Sequence, residues 1–171
     1  YNYNASITTK IYGIVNFKPK NKVQSIRHTI TPSITYSNNP SFEEYYDTYI
    51  IDAEGNTAEY TRFQGGLFGT PGKSYSSSIG LSIQNVLEAK VKPKDSTESE
   101  LKKINIFKNL NISTSYNLAA EEFKLSPIRV SGAIDVAKGF TVNTGATFDA
   151  YALDENNRRI NVFNSKNGGG L

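Results

Sequence analysis

Three observations predict an all-β protein, part of an antiparallel transmembrane β-barrel. Period-2 alternation of apolar and polar residues recurs in about six segments, near 4–17, 25–38, 76–91, 109–119, 127–137 and 139–152. Several exceed the ~5–6 residues usual in soluble strands and reach the ~9–11 that a tilted strand needs to cross a bilayer. The connections alternate between short and mostly longer, as in outer-membrane barrels. About six strands is too few for a large barrel. The chain opens inside an alternating pattern and ends on "NGGGL", so residues 1–171 read as one barrel segment truncated at both ends.

Composition agrees. Apolar residues make up 37% of the chain, low for a soluble domain with a large core, while Tyr (11) and Phe (9) are plentiful. No apolar run approaches the ~18 residues of a membrane helix, an absence that says nothing about a barrel. There is no cysteine and one histidine, and the net charge is +3 from mixed signs. Neither a disulfide framework nor a basic footprint for nucleic acid is expected.

The first segment, 4–17, alternates as Ala5, Ile7, Thr9, Ile11, Gly13, Val15 and Phe17 against Ser6, Thr8, Lys10 and their neighbours. The turn "KPKNKVQ" (18–24) then leads into 25–38, where Ile26, His28, Ile30, Pro32, Ile34 and Tyr36 oppose Arg27 and a row of Ser and Thr. Pro32 has no N–H for a ladder, so a bulge or break in pairing is expected there. After a long loop, 39–75, segment 76–91 carries Ile79, Leu81, Ile83, Asn85, Leu87, Ala89 and Val91 on one side, with Glu88 and Lys90 on the other. Asn85 breaks the apolar row, and a bulge near Val86-Leu87 would account for it.

"KPKDSTESELKK" (92–103) is a medium connection, with a capping-like Ser96 or Ser99 and room for one helical turn. Segment 109–119 has Leu110, Ile112, Thr114, Tyr116 and Leu118 on its apolar side, followed by a short loop, "AEEFKLS" (120–126). Segments 127–137 and 139–152 flank the turn "AKG" (137–139), and residues 153–170 form the last loop.

Of the 36 positions assigned to the apolar side, none is charged. The 30 interleaved positions include Lys10, Arg27, Glu88, Lys90, Arg129, Asp135 and Asp149, which are the candidate lumen-facing residues. A basic side chain facing lipid near the midplane costs about 2–4 kcal/mol and little in a wet lumen. Phe17, Phe107 and Phe140 near the short-turn ends, with Tyr36, Tyr116, Phe148 and Tyr151 near the long-loop ends, fit two aromatic belts. A soluble β-sandwich also keeps charge off its inner face. A secreted adhesin binding glycan or protein through loop 39–60 therefore remains the alternative, alongside a porin or plugged transporter.

Catalytic and metal chemistry find no support. "GGLFGTPGKS" (65–74) has Leu67 where a phosphate-binding loop needs its first glycine, and a strand rather than a helix follows. "DAEGNTAEY" (52–60) lacks the distal glutamate of a calcium loop, and a turn at Glu54-Gly55-Asn56 explains its glycine. His28 has no nucleophile or acid at a telling spacing. No enzyme, cofactor or metal site is assigned.

Four strings carry a resemblance: "IRHTITPSITYSNNPSF", "YTRFQGGLFGTP", "NISTSYNLAAEEFKLSPI" and "GATFDAYALDENNRRINVFN". Together, and in this order, they resemble the barrel of LptD, the lipopolysaccharide-assembly family of the bacterial outer membrane, in its divergent branch. The resemblance spans roughly residues 10 to 171 and implies the middle part of a very large barrel. It further implies a non-enzymatic translocon placing lipopolysaccharide in the outer leaflet, with an LptE-like plug lipoprotein in the lumen. A periplasmic bridge protein would deliver lipid through a domain outside this chain. Pro32 matches a mid-barrel strand, so the family's exit-gate role is not carried to it, and the family's cysteines have no counterpart here.

Overall fold

A computed structural model describes residues 2–93, 100–137 and 140–166. Its main feature is one antiparallel sheet. The strands are β1 (Tyr3–Thr8), β2 (Ile11–Asn16), β3 (Val23–Asn39), β4 (Tyr46–Ile50), β5 (Thr57–Thr61), β6 (Ser76–Val91), β7 (Lys102–Asn117), β8 (Ile128–Ala137), β9 (Phe140–Phe148), β10 (Tyr151–Leu153) and β11 (Arg159–Phe163). The order across the sheet is β1-β3-β6-β7-β8-β9, with β2 lying end to end with β1 along β3. β4–β5 and β10–β11 form separate two-stranded hairpins.

The sheet is a single layer, so the sandwich alternative, which needs a second sheet packed on the first, does not describe it. The surface area is 12985 Å², against roughly 8,300 Å² for a compact monomer of this mass. No side chain among the described residues is fully buried. The buried hydrophobics among the described residues are Ala89, Ala150, Tyr151 and Ala152, so the apolar face has little protein cover, as on the outer face of a membrane barrel.

Register shows that the alternation read from the sequence is one continuous surface. Ile7 lies opposite Ile34, which lies opposite Leu81. Pro32, Ile83, Ile112, Val130 and Ala146 form another row across five strands. The span from Ile26 to Tyr36 covers 11 positions, the length of a tilted crossing.

The segment predicted over 4–17 is two strands, and Pro32 explains the interruption. β1 and β2 pair with β3 in the same register, Thr8 opposite Ser33 and Ile11 opposite Ile30. The gap at Thr9-Lys10 faces Pro32 and Thr31. Thr9 N–H still donates to the Pro32 carbonyl (3.2 Å), but the reciprocal bond is missing because proline has no N–H. The result is a break in the ladder with no bulge. Pro32→Val restores that donor and is expected to stabilise the protein by about 1 kcal/mol. Hydrogen exchange checks it through new protection at residue 32 and slower exchange at Thr9 and Lys10.

Three other boundaries differ from the sequence reading. β7 begins at Lys102, not near 109, because two register shifts opposite Asn85–Glu88 insert extra residues in β7. The apolar face there runs Ile104, Phe107, Leu110, a spacing of three that hides the alternation. The expected bulge at Val86-Leu87 thus lies on the partner strand. Segment 139–152 ends at Phe148 and resumes as the short β10. Loops 39–75 and 153–170 each contain a hairpin. Ser96 and Ser99, most of turn 137–139 and "NGGGL" lie outside the described residues.

Candidate functional site

The candidate site is the polar face of the sheet. Hydroxyls and amides form its middle: Ser6–Thr35 (3.2 Å), Thr8–Ser33 (2.9 Å) and Ser82 donating to Asn111 Oδ1 (3.1 Å) join neighbouring strands. These short side chains satisfy one another across the pleat and leave a wettable surface.

Charge gathers toward the short-turn end. The Arg27 Nε donates to Glu88 Oε2 at 2.8 Å, and Lys103 pairs with the other Glu88 oxygen. Arg27, Glu88 and Asn105 stand in register on β3, β6 and β7, with Lys103 opposite Lys90. One carboxylate, its side chain 11% exposed, therefore bridges three adjacent strands. A groove of about 400 Å³ runs beside it, lined by Asn16, Ser25, Arg27, Glu88, Lys90 and Lys103. Alternation does not reveal Lys103, because the two register shifts hide the first part of β7.

The remaining sequence candidates are scattered. Lys10 lies in the gap between β1 and β2. Arg129 stands opposite Ser113 and Thr147, beside a recess lined by Ser115, Ser126 and Pro127. Asp135 accepts from Thr141 (2.6 Å) and lies 3.7 Å from the Lys108 ammonium; it does not meet Arg129. Asp149 is not in a strand: it occupies the β9–β10 break and pairs with Arg159 Nε at 2.8 Å.

On the apolar face, His28 and Asn85 resolve each other. The His28 Nε2 and Asn85 Oδ1 are 3.0 Å apart, and Asn85 Nδ2 donates to the Leu110 carbonyl at 3.3 Å beside the register shift. The polar interruption thus serves the backbone that the bulge disturbs. Tyr36, Ile79 and Tyr116 form a row at the long-loop end, where Phe148 faces Ile128. Phe17 and Phe140 sit at the other end. Phe107 is not at a strand end: it lies inside β7 opposite Leu87.

Tyr151 also departs from the belt arrangement. It is 6% exposed, stacked on Phe163 (5.0 Å) and edge-on to Phe123 (5.2 Å). Arg159 lies over both Tyr151 and Phe123, and Leu125 N–H donates to the Tyr151 hydroxyl at 3.0 Å. This cluster fastens the β10–β11 hairpin to the β7–β8 loop, a role sequence reading missed because its members come from separate segments.

The long β3–β6 connection folds around Phe42, Tyr45 and Phe63 and carries the β4–β5 hairpin. Gly55, at φ +85°, turns that hairpin. Asp52 spends its carboxylate on the Asn56 side chain and backbone amide, which hold it below its usual protonation range. The glycines of "GGLFG", at φ +76° and +72° for Gly65 and Gly69, shape a loop that leads into β6 with no helix between.

A single-layer antiparallel sheet with long strands, an apolar face that meets charge at its rim, at Lys102, and a wettable opposite face defines the class: a segment of outer-membrane-type β-barrel. The family description "LptD protein" matches residues 1–151, and the chain belongs to that family, outer-membrane β-barrels that work in lipopolysaccharide transport. No curated protein and no solved structure matches the chain.

Proposed function

We infer that this chain is the middle portion of an outer-membrane translocon that inserts lipopolysaccharide into the outer leaflet without covalent chemistry. The observation that carries the reading is the two-faced sheet within an LptD family match. The apolar face meets lipid, and Arg27, Glu88, Lys90, Lys103, Arg129 and Asp135 line the barrel interior. Hydroxyl-rich strands give that interior a polar wall for an LptE-like plug lipoprotein. Lipopolysaccharide arrives from a periplasmic bridge protein through a domain beyond this chain.

Depletion of the full-length protein in its own cells tests this. Newly made lipopolysaccharide is expected to disappear from the cell surface, read with a surface-restricted label, while small-solute uptake stays unchanged. Normal surface delivery with reduced solute uptake would instead indicate a porin or plugged transporter and overturn the reading.

A further inference from the structure

The net charge of +3 conceals a segregation along the strands. At the short-turn end, residues 18–22 and 90–93 contain Lys18, Lys20, Lys22, Lys90 and Lys92 and no acidic residue. Lys102 and Lys103 open β7 at the same edge. Lys92 N–H donates to the Lys22 carbonyl at 2.9 Å, so two turns distant in sequence stand side by side and their cations form one patch. Glu88 is committed to Arg27 and Lys103; the sequence between β6 and β7 adds Lys94 and three acids, Asp95, Glu98 and Glu100, so lysines still outnumber acids in these two connections. The opposite end has the reverse sign: residues 40–75 carry six acids, Glu43, Glu44, Asp47, Asp52, Glu54 and Glu59, against Arg62 and Lys73.

We propose that the lysine rim binds anionic phospholipid headgroups in the leaflet that meets the short turns. Charge complementarity requires an anionic partner, and continuity with the apolar face selects lipid. That face runs through Ile104 and Val91 directly into the rim, where Lys102 stands opposite Val91 and Phe17 closes the end of β2. Lysines at such a border lay their methylene stems along apolar surface and extend the ammonium to headgroup depth. The turn lysines 18, 20, 22 and 92 are exposed and reach the same layer from their backbone positions. An acidic protein would match the charge but would give the adjoining apolar band no role.

The proposal rests on the sheet spanning a membrane, and one experiment separates the two. The full-length protein is reconstituted into phosphatidylcholine vesicles carrying a trace of spin-labelled phosphatidylglycerol or spin-labelled phosphatidylcholine. The motionally restricted fraction of each label gives their relative association with the protein. Phosphatidylglycerol is expected to be enriched several-fold at about 0.05 M salt and to lose that enrichment near 1 M, where screening shortens to about 3 Å. The variant K18Q/K20Q/K22Q/K92Q brings the ratio close to one, while R158Q/K166Q at the other end leaves it unchanged. A ratio of one in the unaltered protein, or enrichment surviving the four substitutions, overturns the lipid assignment and leaves an acidic protein as the rim's partner. Failure to float with vesicles at all overturns the membrane reading beneath it.

Discussion

Leu81→Arg is expected to prevent assembly in the membrane, while Ser82→Arg, one residue further on, is tolerated. Leu81 lies between Ile34 and Thr114 on the apolar face and is 45% exposed, with no protein layer to cover it. With the sheet in the outer membrane as proposed, an arginine there places its charge in lipid, at about 2–4 kcal/mol near the midplane. Against a total stability of roughly 5–15 kcal/mol, that is a large fraction, and it falls on a strand at the centre of the sheet. Ser82 points the other way, between Ser33 and Ser113. Arginine at 82 loses the bond to Asn111, about 0.5–1.5 kcal/mol, and finds a polar surface that hydrates its charge. Heat-modifiable gel mobility and recovery in the outer-membrane fraction provide the readout. Equal behaviour of the two variants would sink the assignment of the faces.

The faces are legible in the sequence because a side-chain period of two leaves little freedom: once Ile26 is placed, Ile30 and Ile34 share its side. Cross-strand register adds what one strand cannot show, that Ile34 meets Leu81 and Arg27 meets Glu88. What sequence reading misses has specific physical causes. The first half of β7 is hidden because extra residues put Ile104, Phe107 and Leu110 on one face at intervals of three. The β4–β5 and β10–β11 hairpins are hidden by short strands inside segments rich in turn residues. The Asp154–Arg158 turn, with Asn157 at φ +58°, has the Asp and Asn chemistry that marks a hairpin, and this was the available signal. The aromatic cluster around Tyr151 had none, since Phe123, Arg159 and Phe163 meet only after the hairpin docks. Net charge hides the separation of signs in a different way, because summing over the chain cancels the lysine-rich short connections against the acidic long loop.

Glu88→Gln is expected to be the most damaging change on the polar face, although it removes a single charge and almost no volume. Glu88 is the shared acceptor for Arg27 on β3 and Lys103 on β7, with Lys90 beside it on β6. Losing the carboxylate leaves three cations facing one another across three central strands. Arg27 and Lys103 are about half exposed (49% and 57%), so water screens part of the repulsion and full buried-pair values do not apply. With two charge-assisted hydrogen bonds weakened, a loss of about 2 kcal/mol is expected. It is measured as a lower temperature for conversion to the unfolded gel form. Lys103→Gln is the informative comparison, because it removes one cation and leaves the Arg27–Glu88 bond intact, so its effect should be well under half as large. Exchanging the partners as R27E/E88R rebuilds one ion pair and sets arginine against Lys103. It should therefore recover only part of the stability, and full recovery would show that Lys103 contributes nothing. If Glu88→Gln and Lys103→Gln prove equally mild, the carboxylate is not what ties β3, β6 and β7 together, and the hydroxyl rows between those strands hold the polar face without it.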